Sequence, residues 1–233
     1  MAGCLHARMI LVLVSGMVLG SASARADDLP LRCENIVLHA DAHARADVAA
    51  ICDAAAQTRR WFSTCRFKPA PVIDVVVDNT LEERLGYKAF AIFSARLMTI
   101  RILGVEKFAS DFAGLPASAA MAWRDWYRSV VVHELTHAVV YVTAGAKMDW
   151  ISQEYIAAVV QIESLDMAVR ASLFRAFPKF SLADNSAMLN EVVYMMAPLA
   201  FVISAYFNAR GFPDMCAHIR SVVTGNTIPA PEQ

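Results

Sequence analysis

The sequence shows no excess of either charge, no C-x-x-C pair, no internal repeat and no apolar run of bilayer length. Each absence removes a class of function. With 21 Lys and Arg against 22 Asp and Glu, the formal charge is -1. Nucleic acid is therefore excluded as a partner, because phosphate binding needs a basic excess or stripe. A cysteine-type zinc cluster is excluded because it needs closely paired thiolates. Charged residues make up only 18% of the chain and there are nine Gly and nine Pro, with no low-complexity tract. That composition excludes disorder, collagen and coiled coil. An uncharged stretch in the second half, Val192 to Phe207, contains Pro198 and Ser204. It falls short of the roughly 20 residues a spanning helix needs and is expected to be a core helix. What is present is a chain of 233 residues, 57% apolar, enough for one domain with a substantial core.

The first 26 residues read as a signal peptide. His6 and Arg8 precede an apolar run from Met9 to Leu19, and Ser21 to Ala26 supplies small residues with A-x-A spacing. The expectation is an exported chain, periplasmic or secreted, with one domain over residues 27–233 and no membrane span after cleavage. Cleavage discards Cys4 and leaves Cys33, Cys52, Cys65 and Cys216. An even set in an oxidising compartment predicts two disulfides. If strand 34–39 is about 20 Å long and helix 41–64 about 35 Å, an antiparallel return favours Cys33 with Cys65 and Cys52 with Cys216.

The pattern along the chain predicts an α+β fold: a small N-terminal mixed sheet with helices, then a mostly helical C-terminal half. Residues 34–39 and the β-branched run Val72 to Val77 read as strands, the latter central and buried. Residues 90–93 and 97–103 read as a hairpin, and 41–64 as a helix. Thr80 with Glu83 has capping-box spacing and predicts a short helix over 81–85. Trp123, Trp126, Tyr127, Val130, Val131, Leu135, Ala138 and Val142 recur at spacings of three and four, defining a long amphipathic helix that Gly145 would cap. Further helices are expected over 150–176, over 187–208 with a kink at Pro198, and over 213–223.

Within the long helix, residues 130–139 read VVVHELTHAV. His133 and His137, at i and i+4, lie about 40° apart round the axis and one turn apart along it, so both imidazoles can reach one metal ion. Glu134 points to the same side and is placed as a general base. A catalytic zinc site needs a third protein ligand and an open position. The helix is expected to end near Ala144, about 10 Å beyond His137, and Glu154 lies about 6 Å along the returning helix. A short connection makes the helices antiparallel, which brings Glu154 level with the histidines. Asp149 is better placed as an N-cap. His39 and His43 repeat the i, i+4 spacing without an intervening Glu and read as surface or cap residues. Tyr155, Tyr194 and Tyr206 are candidate oxyanion donors, Tyr194 being the one retained. His218 reads as structural, and Met188, Met195 and Met196 as packing residues.

HELTH followed by WISQEYIA, Trp150 to Ala157, resembles the gluzincin clan of zinc metallopeptidases, in which HExxH precedes a Glu ligand on the next helix. The resemblance is strongest over residues 130–161. A weaker echo lies in SAYFNARG within 197–219, which is similar to bacterial peptidase-MA-like members. It implies a zincin-like fold, Zn2+ held by His133, His137 and Glu154, Glu134 as base, and a peptide or protein substrate aligned by an edge strand, Leu97 to Leu103. The sequence departs from that pattern at Tyr155, where the family has Gly, and at Ala158, where some relatives carry an acidic residue. The expected function is an exported zinc-dependent hydrolase, a metallopeptidase. A zinc-containing binding module without turnover and a metal-free interaction domain held by disulfides are the competing readings.

Overall fold

Apolar residues alternate along the inner strands, and one set of alternate positions is fully buried: Ile36, Leu38, Ile73, Val75, Ile100 and Ile102. That period of two makes a sheet with one face against helices. In the computed structural model, which describes residues 31–39, 45–68, 71–81, 89–145, 148–181, 186–225 and 228, the strands are β1 (Leu31–Cys33), β2 (Ile36–His39), β3 (Ile73–Val77), β4 (Ala91–Ser94) and β5 (Thr99–Ile102). They form one mixed sheet in the order β1-β2-β3-β5-β4. The β2/β3 and β3/β5 pairs are parallel, and the two outer pairs antiparallel. β3 is central, as the sequence suggested, but only one of its faces is buried. Asp74 on the other face pairs with His39 at 2.8 Å, which gives His39 the surface role expected for it. His43 and the short helix expected over 81–85 lie outside the described residues, apart from Leu81.

Eight α-helices complete the described chain: α1 (Arg45–Thr64), α2 (Val105–Phe112), α3 (Trp123–Ala144), α4 (Trp150–Glu163), α5 (Met167–Ala176), α6 (Glu191–Met196), α7 (Pro198–Arg210) and α8 (Met215–Val223). α1 and α3 pack on each other and on the sheet, α1 against β2 and α3 against β4 and β5. The hairpin β4/β5 forms although its turn has no Gly or Asn, because Met98 adopts the left-handed region at φ 50°. Gly145 ends α3 at φ 72°, where a Cβ would be strained. α4 runs through the middle of the helical half between α3 and α7. Seven of its residues, Tyr155 to Val160 and Ile162, are at most 1% exposed, as expected of a helix that is apolar nearly all round.

Several boundaries differ from the sequence pattern. The helix expected over 150–176 is two helices. Ser164 donates its hydroxyl to the Gln161 carbonyl at 2.7 Å, the Leu165 N–H bonds Ile162 at 3.1 Å, and Leu165 turns into the core. Those local bonds close the last turn without Gly or Pro. At Pro198 the chain breaks instead of kinking: Ala197 leaves helical space at φ -147°, and Pro198 opens α7 as its first residue. Of the 192–207 stretch, α7 is core, but on α6 Val192, Met195 and Met196 are 70%, 75% and 81% exposed. Met195 and Met196 are thus surface residues and not packing residues; Met188 is half-buried. α2 and β1 had no counterpart in the sequence reading. The strand beside α3 at the sheet edge is β4. The 97–103 segment forms β5, which lies between β3 and β4 and is not an edge.

The disulfides are Cys33 with Cys52, Cα atoms 5.5 Å apart, and Cys65 with Cys216, 4.9 Å apart. The expected pairing is therefore wrong, and the lengths of the elements explain why. β2 has four residues, about 13 Å, so α1 returning along it reaches the level of Cys33 after some seven residues, about 10 Å of helix. That is the position of Cys52. Cys65 has by then travelled on to the start of α8, where its carbonyl also accepts from Arg220 at 2.8 Å. Two disulfides fit a chain that matures in an extracellular or periplasmic environment. Among the described residues no helix is long and apolar enough to cross a membrane.

The two bonds close loops of very different size, with sequence separations of 19 and 151. In the chain-entropy model these correspond to about 3 and about 5 kcal/mol. Replacing Cys65 and Cys216 by Ala should lower the denaturant midpoint more than replacing Cys33 and Cys52. Equal shifts, or a non-reducing peptide map linking Cys33 to Cys65, would contradict the assignment.

Candidate metal centre

The antiparallel packing of α3 on α4 builds the site. His133 faces both Glu154 and Gln161, and His137 faces Glu154. Moving back along α3 therefore means moving forward along α4. Asp149 caps α4 as expected, its Oδ1 accepting the Ser152 N–H at 2.9 Å, and this sets the helical phase that aims Glu154 at α3. His133 Nε2 lies 3.1 Å from His137 Nε2 and 3.1 Å from Glu154 Oε2, and His137 Nε2 lies 3.4 Å from Glu154 Oε1. Donor atoms held about 2.0–2.1 Å from a tetrahedral ion stand roughly 3.3–3.4 Å apart. The three side chains, each less than a fifth exposed, thus have the spacing and chemistry to hold a metal ion, and their donor atoms all fall within 4.8 Å of one another.

Electrostatics point the same way. Burial works against charge on His133, but its hydrogen bond to Glu154, the charges of Glu154 and Glu134, and Gln161 outweigh it and raise the His133 pKa. Burial would likewise raise Glu154, yet the hydrogen bonds and charges of both histidines hold it well below the ordinary carboxylate range. The two shifts describe one fact: a positive charge belongs among these atoms, and in the metal-free protein a proton supplies it. Glu134 behaves differently. Burial raises its pKa, the histidines offset this only in part, and the Phe93 backbone N–H donates to its carboxylate. It lies beside the cluster without belonging to the donor group.

The remaining candidates separate cleanly. Tyr194, on α6, packs edge-on against Trp150 with ring centroids 5.5 Å apart, and Trp150 is one helical turn before Glu154. The Tyr155 hydroxyl bonds Asn208 Oδ1 at 2.8 Å and His218 Nε2 at 2.7 Å. It ties α4 to α7 and α8, the structural role that a Gly there could not fill. The Tyr206 hydroxyl accepts from Arg170 at 3.1 Å. His218 is buried against Tyr155 and stacks on Phe212 with centroids 3.7 Å apart. The residue missed is Gln161, whose Oε1 is 3.0 Å from His133 Nδ1. Its signal was available: Gln161 is seven residues after Glu154, two turns along the same face, and polar within the otherwise apolar run from Tyr155 to Ile162.

An α+β protein whose central helix pair carries two histidines and one carboxylate that could hold a metal ion is the class that fold and site define. The chain belongs to DUF6639, a family of unknown function, whose model matches residues 38–232. No curated protein and no solved structure matches it.

Because His133 must surrender its proton to accept a metal ion, ion binding should release protons and strengthen as pH rises through the elevated His133 pKa. Calorimetry in buffers of different ionisation heat measures this directly, and a pH-independent affinity would contradict it. Without metal, the His133 contribution to stability is full below its unfolded value near 6.5 and is lost at higher pH, through the raised folded value. The Glu154 contribution is present above its unfolded value near 4.5 and is lost as pH falls toward the depressed folded value. The pair therefore stabilises metal-free protein most between those two unfolded values, and denaturation midpoints measured across pH should peak there.

Proposed function

We propose that this protein is an exported zinc-dependent hydrolase of the gluzincin type, acting on peptide bonds. The observation that carries the reading is the convergence of His133, His137 and Glu154 on one point, with Glu134 buried beside it and outside the donor group. A two-His, one-Glu set suits zinc and leaves a coordination position for water or substrate. Zinc held by His133, His137 and Glu154 would supply Lewis acidity toward a carbonyl oxygen. Glu134 supplies proton transfer: its pKa, raised by burial, suits a group that takes a proton from the attacking water and returns it to the leaving amine. The Phe93 N–H holds that carboxylate in place.

The edge strand adds a means of alignment. The Leu103 N–H donates to Phe90 at 2.9 Å, so by the alternation of an antiparallel ladder the backbone groups of Ala91 and Phe93 face outward from β4. The Phe93 N–H meets Glu134, and the neighbouring outward groups are free to pair with an extended chain laid beside α3. Tyr194, one turn from Glu154 through Trp150, is the candidate donor to the developing oxyanion.

The test joins metal analysis with turnover. Wild-type protein should hold about one zinc per chain. His133→Ala and His137→Ala should abolish binding, and Glu154→Ala should weaken it severely. Glu134→Gln should keep metal and fold while losing about 10² to 10⁴ in catalytic rate. Full zinc with no cleavage across a broad peptide library would favour a binding module. Equal activity in wild type and Glu134→Gln would overturn the assignment of the base.

A further inference from the structure

A chain of three hydrogen bonds leads from the metal centre into the backbone of α3, and the direction of each can be worked out from its far end. The Trp126 carbonyl can only accept, and the Ser129 hydroxyl donates to it at 2.8 Å. The Ser129 oxygen is then free to accept, and the Gln161 Nε2 amide, 3.3 Å away, donates to it. With its nitrogen committed to Ser129, Gln161 turns its Oε1 toward His133 Nδ1 at 3.0 Å. An amide oxygen can only accept, so Nδ1 must carry a hydrogen. In the neutral imidazole the lone pair then lies on Nε2, the atom that faces His137 and Glu154. Ser129 is fully buried and Gln161 is 3% exposed, so water does not compete for these bonds.

We infer that Gln161, held by Ser129, is a positioning residue that fixes the His133 tautomer and ring orientation, so that its Nε2 lone pair points into the donor cluster before any ion arrives. A ligating histidine needs its other nitrogen bonded in this way. Here the partner comes from the same helix as Glu154, two turns on, so one helix supplies both a ligand and the group that orients another. The neutral amide achieves this without adding a third carboxylate beside Glu134 and Glu154. A carboxylate at this position could also accept from Nδ1–H, so Glu is the substitution that should preserve the function and Met the one that should remove it at similar volume. This inference rests on the metal-site reading above, but its first measurement does not depend on that reading.

In metal-free wild type at a pH above the His133 titration, ¹⁵N-detected NMR of the imidazole should show the Nδ1–H tautomer. Finding Nε2–H instead would overturn the inference whatever the metal does. Zn2+ affinity, measured by chelator competition, should fall by about 10- to 100-fold in Gln161→Met. Gln161→Glu should recover most of it, and Ser129→Ala should give a smaller loss by releasing the amide. If folded Gln161→Met binds Zn2+ as tightly as wild type, the inference is wrong even though the metal site stands. If Gln161→Met does not fold, the wild-type tautomer and the Ser129→Ala affinity decide. A wild type that binds no Zn2+ would instead sink the proposed function, leaving the tautomer measurement to judge the wiring.

Discussion

Three electron-rich atoms held about 3 Å apart inside a protein repel one another unless something positive sits among them. That constraint organises the molecule. His133, His137 and Glu154 meet because α3 and α4 are packed antiparallel, and α4 cannot retreat, since α7 covers its other side and the Tyr155 hydroxyl ties it to Asn208 and His218. Relaxing the cluster would mean exposing a helix whose side chains are almost wholly buried. The hydrophobic packing of α4 is thus what holds a polar arrangement that would not form unaided in water.

The sheet contributes at a single place. Its edge strand β4 lies against α3, and one outward N–H reaches the Glu134 carboxylate. Among the described residues β4 pairs with β5 on one side, and its opposite edge is the one that restrains Glu134. Sheet and helical half are therefore joined chemically as well as by packing, and a shift of the β4/β5 hairpin would move the carboxylate relative to the histidines.

How much of this could be read from the sequence depended on whether local geometry or long-range packing decided the point. The i, i+4 histidines and the capped return of α4 are fixed by helical rise and by Asp149, so counting residues was enough to place Glu154 beside His133 and His137. The β4/β5 hairpin and the Gly145 stop were legible for similar reasons. The disulfide pairing was not, because it turned on how far α1 runs on past Cys33, which the packing of α1 along β2 decides. Cys33 lies level with Cys52 inside α1, whereas Cys65 follows the end of that helix and meets α8. The break at Ser164 carried no Gly or Pro and arises from a serine hydroxyl bonding back to its own helix. Gln161 could have been found by extending the face of α4 two turns past Glu154, but its partner Ser129 becomes meaningful only once the two helices are in contact.

The bond from Cys65 to Cys216 spans 151 residues of sequence, and the whole of α3 and α4 lies between its ends. A cut in any connection within that span, whether in the loop after α3 or between α5 and α6, would leave two pieces that remain one covalent molecule. With the two pieces joined where the end of α1 meets α8, and α4 still packed between α3 and α7, the His133, His137 and Glu154 group would stay assembled. The bond thus makes the centre tolerant of nicking: backbone continuity through it is no longer required to keep its two helices together.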